Sequence, residues 1–185
     1  MRARAGAGNW LATTLSGGDR RSIGRVAEVV IKVAEQPWLV SGLVEMLQHP
    51  EPVVRIRAAD ALEKLQHLIP NQISPFQTEL LSIAQQATEA EIRWHLAQML
   101  PRIPTSYMKR ARIADILKNY CFDKSVIVRV SAMQGLADLA KADNTFRLLA
   151  LRRVNSALLF GASAEKARAR KLLRELEIGG DRVGT

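Results

Sequence analysis

Apolar residues recur along this chain at one spacing: a starting residue, then others at +4, +7, +8 and +11. The sets are Ile23, Ala27, Val30, Ile31, Ala34; Val54, Ala58, Ala61, Leu62, Leu65; Ile92, Leu96, Met99, Leu100, Ile103; Val128, Ala132, Gly135, Leu136, Leu139; and Glu165, Ala169, Leu172, Leu173, Leu176. At about 100° per residue these offsets fall on one stripe of an α-helix. The starts lie 31, 38, 36 and 37 residues apart, and a period of that length specifies stacked helical repeats. The expected fold is therefore all-α, a solenoid whose faces serve more often as binding surfaces than as reaction centres.

Each stripe is assigned to the second helix of a pair, preceded by a shorter amphipathic helix. Residues 38–48, with Leu39, Leu43 and Leu47 at i, i+4 and i+8, precede the Val54 helix, and the Pro50 and Pro52 break separates the two. Ser74-Pro75-Phe76-Gln77 reads as a capping box opening the next pair, in which Leu80, Leu81 and Ala84 face inward. Thr105 is expected to cap the helix carrying Ile113, Ile116 and Leu117. Asp123 or Ser125 is expected to cap the Val128 helix. Asp143 or Asn144 opens the last pair, carried by Leu148, Leu149, Leu151, Leu158 and Leu159, and Ser163 caps its second helix. Residues 1–19 read as a flexible segment, with a degenerate first helix over 9–16 as the alternative. Residues 20–177 form the array of four to five repeats, and 178–185 a disordered tail.

The segment from Pro50 to Leu62, Pro-Glu-Pro-Val-Val-Arg-Ile-Arg-Ala-Ala-Asp-Ala-Leu, resembles a HEAT repeat. The resemblance extends over about residues 20–177 and implies a right-handed α-solenoid with the second helices lining a concave side. It further implies that a turn acid and an Arg just after the stripe start form a hydrogen-bonded ladder between neighbouring repeats. The residues at that Arg position are Gly24, Arg55, Arg93, Arg129 and Lys166. Arg55, Arg93 and Arg129 are read as this structural ladder. Glu51 and Glu89 each precede an Arg by four residues, but Asp123 precedes Arg129 by six, which leaves the third rung open.

Enzymes that resemble this architecture carry signatures absent here. HEAT-like alkylpurine DNA glycosylases use Trp-x-x-x-Asp, whereas the residues four after Trp10, Trp38 and Trp94 are Thr14, Gly42 and Gln98. Deoxyhypusine hydroxylase uses His-Glu pairs, whereas His49, His67 and His95 precede Pro50, Leu68 and Leu96. The three histidines have no metal-ligand spacing in sequence and are read as solvated or packed. Phosphate-loop and nucleophile-elbow motifs are missing. A HEAT-like lyase is kept as a lesser alternative because its site is not a short motif. No catalytic residue, cofactor or metal is assigned.

Position +2 of each stripe faces away from the core on a helical wheel, placing Ile56, Trp94 and Val130 in an apolar row. Asp60, Glu63, Gln98, Met133 and Gln134 flank it, and such a patch suits a protein partner. The charge of +9 concentrates beyond residue 100: residues 1–25 carry +4, 26–100 carry −4 and 101–185 carry +9. The alternative function is accordingly nucleic-acid binding by Lys109, Arg110, Arg112, Arg152, Arg153, Lys166, Arg170, Lys171 and Arg174. A solvated basic face is the plainer reading, since aromatic stacking partners are scarce there.

Cys121 is the only cysteine, so no intrachain disulfide forms, and an inert buried thiol is expected. The first 18 residues lack a secretory apolar core and are only weakly similar to an organelle transit peptide. No stretch reaches the roughly 18 apolar residues of a membrane span. The expected function is that of a non-enzymatic protein-interaction scaffold or regulatory adaptor in the cytoplasm.

Overall fold

The computed structural model describes residues 2–18, 22 and 24–180. Among them all regular structure is helical: α1 (Arg2–Leu15), α2 (Val26–Glu35), α3 (Val40–Glu45), α4 (Pro52–Leu65), α5 (Pro70–Ile73), α6 (Gln77–Gln86), α7 (Ala90–Met99), α8 (Tyr107–Tyr120), α9 (Val126–Ala142), α10 (Arg147–Phe160) and α11 (Ser163–Gly180). Short 3-10 turns extend α3 on both sides, and another joins α5 to α6. The described residues form an all-α solenoid of five pairs, α1/α2, α3/α4, α6/α7, α8/α9 and α10/α11. The second helices stack in one column, α2 on α4, α4 on α7, α7 on α9 and α9 on α11.

The column follows the small residues. In α4, Ala58, Ala59 and Ala61 are buried beside Leu62 and Leu65, so α2 and α7 approach closely on either side. Gly135 permits the same between α9 and α7: a Cβ there would lie 2.5 Å from the Ala97 carbonyl oxygen and 3.0 Å from Leu117 Cδ1. The stripes starting at Val54, Ile92 and Val128 are buried throughout, as are Glu165, Ala169, Leu172 and Leu176 of the last.

The first stripe is corrected. Ile23 lies outside the described residues, Ala27 is exposed and Ile31 is 61% exposed. Val26, Val29, Val30 and Val33 fill the core instead, so the pattern starts one residue earlier. The first helix spans Arg2–Leu15, longer than 9–16, and buries Leu11, Thr14 and Leu15. At the other end α11 continues through 178–180, and residues 181–185 of the expected tail lie outside the described residues.

Several expected caps are also replaced. The chain is already helical from Pro70, so Ser74 has helical backbone (φ −49°, ψ −39°) and is no N-cap. Its hydroxyl donates to the Pro104 carbonyl at 2.9 Å, while buried Gln77 accepts from the Thr105 hydroxyl. Thr105 thus ties two repeats together instead of capping α8. Ser125 occupies the N-cap position of α9 without a side-chain cap bond, and Asp123 accepts from the Ser125 N–H at 2.7 Å. Asp143 does cap, accepting from the Thr145 N–H at 3.1 Å. Ser163 lies inside α11, where Glu165 reaches back to the Ala162 N–H at 3.1 Å. In α10 the buried residues are Ala150, Val154 and Ala157, whereas Leu148 and Leu159 point to solvent, because small side chains make the close contacts with α9 and α11.

Candidate functional site

The ladder is present, and each rung repeats one geometry. Arg55 donates to the carbonyls of His49 and Pro50, six and five residues back, at 2.7 and 2.8 Å. Arg93 does the same to Ala87 and Thr88, and Arg129 to Asp123 and Lys124. The guanidinium then reaches forward to the acid of the next repeat. Arg55 holds Glu89, Arg93 holds Asp123 at 2.7 Å, and Arg129 holds Glu165 at 2.9 Å. Each Arg therefore closes its own turn and bonds its neighbour, using the planar fork that suits several acceptors at once.

Glu165 is the rung that sequence reasoning missed. It had been placed in an apolar stripe, yet it is 3% exposed and carries two guanidinium groups, Arg129 and Arg153, the latter at 2.6 Å. The signal was its distance from Arg129, 36 residues, close to the 34 and 30 that separate the other two pairs. Burial acts to raise the carboxyl pKa values of Glu89, Asp123 and Glu165. Their hydrogen bonds from Arg and backbone N–H groups outweigh it and hold all three below the usual range.

Among the described residues of the first repeat no Arg makes the ladder bonds, and the junction is held differently. Arg57 of α4, 3% exposed, donates to the carbonyls of Leu15, Ser16 and Gly17 and to that of Ser22. Gly24 has φ +52°, and a Cβ on it would lie 2.6 Å from Arg57 Cζ, so glycine is required by both backbone and space.

The expected apolar row survives in part. Ile56 and Met133 are buried, a correction with a simple cause: each inner helix of the column touches its predecessor and its successor, which covers its flanks as well as its stripe. Trp94, Gln98, Val130 and Gln134 are half-buried. Together with Val126, Ile127, Ser131, Ala164 and Arg168 they line a largely apolar groove of about 250 Å³ between α7, α9 and α11. Ile127 is 60% exposed at its edge. At its rim Gln134 accepts from Arg168 at 3.2 Å and donates to Asp138 at 2.8 Å.

The basic set is not brought together on one surface. Arg110 pairs with Asp143 at 3.2 Å and Arg153 with Glu165, so both are engaged inside the fold. Arg112, Arg152, Arg170, Lys171 and Arg174 are exposed and Lys109 and Lys166 half-buried, spread over α8, α10 and α11. Cys121 is buried, and burial pushes its thiol up to about 11, consistent with a packing role. Among the described residues no helix is long and apolar enough to cross a membrane.

These features define an α-solenoid of stacked helix pairs. Residues 39–69, which span the second pair from Leu39 to Ile69, match the family model of the HEAT repeat. No curated protein matches the chain.

Proposed function

We propose that the chain is a non-enzymatic scaffold or adaptor that receives a protein partner on the exposed face of its second helices. The observation that carries this reading is the apolar groove beside Trp94, walled by Val130 and Ile127 and edged by Gln98, Gln134 and Arg168. HEAT repeats are commonly protein-interaction scaffolds, and an aromatic side chain at the centre of a groove with a polar rim is the usual form of a binding hot spot. A cytoplasmic setting, compatible with the single buried thiol, belongs to the same proposal.

The test is affinity capture with the full chain, comparing wild type and Trp94→Ala, followed by titration of the recovered partner. Trp94→Ala is expected to weaken binding by about 2 kcal/mol with an unchanged melting temperature and a shallow salt response. Loss of thermal stability would assign Trp94 to the core. A steep log-log dependence on salt would instead assign binding to phosphate contacts by the basic residues of α8, α10 and α11.

A further inference from the structure

One group of side chains belongs to neither the ladder nor the groove. Asp60 and Glu63 of α4 and His95 of α7 converge, each offering a ligand atom within 4.8 Å of the other two. His95 is 5% exposed, and its Nδ1 faces Glu63 Oε2 across 3.8 Å with no hydrogen-bond partner among the described residues. Its ring is held in that direction by Trp94, stacked on it at a centroid distance of 3.7 Å.

A bare imidazole nitrogen facing a carboxylate is repulsive, so either an N–H on that nitrogen, which the neutral Nδ1–H tautomer supplies, or a metal ion lies in the gap. A proton satisfies only the nitrogen and one oxygen. Here a third ligand atom, from Asp60, converges on the same point. Around a tetrahedral ion with bonds of about 2.1 Å, ligand atoms sit about 3.4 Å apart, against 3.8 Å between His95 Nδ1 and Glu63 Oε2 and at most 4.8 Å for the other pairs.

We propose that Asp60, Glu63 and His95 form a binding site for a divalent transition metal of the zinc class, stapling α4 to α7. One imidazole with two carboxylates favours such an ion over Mg2+ or Ca2+, which take oxygen ligands alone. Three protein ligands leave a coordination position for water. The ammonium of Lys64 now holds Asp60, and the ion displaces it; Lys64 is half-exposed and free to turn into solvent. His67, 3.9 Å from the other oxygen of Glu63, stands on the outer side, with Arg102 beside it at 3.4 Å.

Calorimetric titration of the full chain with Zn2+ at pH 7.5 tests this, with Mg2+ as the control ion. The expected result is a saturable 1:1 isotherm for Zn2+ and none for Mg2+. His95→Gln and Asp60→Asn should each weaken Zn2+ binding by at least about 100-fold, the upper end of the loss seen on removing even an outer-shell partner. Lys64→Met should tighten binding, which no merely structural role of the cluster would produce, and His49→Gln should leave it unchanged. If His95→Gln fails to fold, Asp60→Asn at a half-buried position carries the comparison. Absence of saturable Zn2+ binding in the wild type, or an affinity in Asp60→Asn equal to the wild type, overturns the proposal.

Discussion

At the first junction of the array an arginine of the second repeat reaches backward; at the three later junctions an arginine reaches forward. Arg57 gathers the carbonyls that end α1, together with that of Ser22. Arg55, Arg93 and Arg129 each close their own turn and then engage a carboxylate of the following repeat. Gly24, in the turn before α2, has no side chain to offer and leaves the space that the Arg57 guanidinium fills. Where the ladder Arg is present, the turn before each second helix is built to one plan. In the turn before α2, glycine stands at positive φ, and the buried set of α2 is Val26, Val29, Val30 and Val33.

The sharpest contrast is expected from removing the arginines one at a time. Arg93→Ala leaves Asp123 as an uncompensated carboxylate in a site where both side chains are about 10% exposed. It should lower the free energy of urea unfolding by about 3–5 kcal/mol. Arg57→Ala orphans buried carbonyls and should cost less, about 1–3 kcal/mol. Its effect should be local to α1 and visible as a change in Trp10 fluorescence, since Trp10 sits against Lys32 of α2 at 4.2 Å. An equal loss in both variants would erase the distinction between the two kinds of junction.

Acid should act on the ladder next. Glu89, Asp123 and Glu165 have folded-state pKa values below their ordinary ones. Their contribution is therefore present above the unfolded values of about 4 and disappears as pH falls through the folded ones. Melting temperature should hold between pH 7 and 5 and drop below about pH 4. In the same range the penalty of Arg93→Ala should shrink, because the unfolded chain takes up a proton at Asp123 that the Arg93-paired carboxylate resists. A penalty that stays constant to pH 3 would contradict the ladder assignment. The smallest effect belongs to Lys141→Ala: its pair with Glu175 is about half-exposed on both sides, so stability should change by less than about 0.5 kcal/mol in the same urea measurement.

Much of the second-helix column was legible in the sequence, because closely stacked helices need aliphatic and small residues at a fixed phase, and Val54, Ile92 and Val128 announce that phase. The ladder arginines were legible for the same reason, one residue after each start. The first helices were less so. In α10 the buried positions are Ala150, Val154 and Ala157, and a reading that ranks residues by hydrophobicity selects Leu148 and Leu159 instead. Ile56 and Met133 were placed in solvent because a single helical wheel has no neighbours, whereas α4 and α9 each have one on both sides. The Asp60, Glu63 and His95 cluster had no signature at all. Asp60 and Glu63 lie 35 and 32 residues before His95 and meet it only because α4 and α7 stack.

The central claim is that successive repeats are joined by an arginine to the carboxylate of the next. A double-mutant cycle on Arg93 and Asp123, with Arg93→Ala, Asp123→Ala and the double variant unfolded in urea at pH 7, measures that joint directly. The account predicts a coupling within about 0.5–3 kcal/mol, with the double variant more stable than the sum of the single losses implies. Additivity within about 0.3 kcal/mol would mean that the two residues stabilise their repeats separately and that the ladder does not bind one repeat to the next.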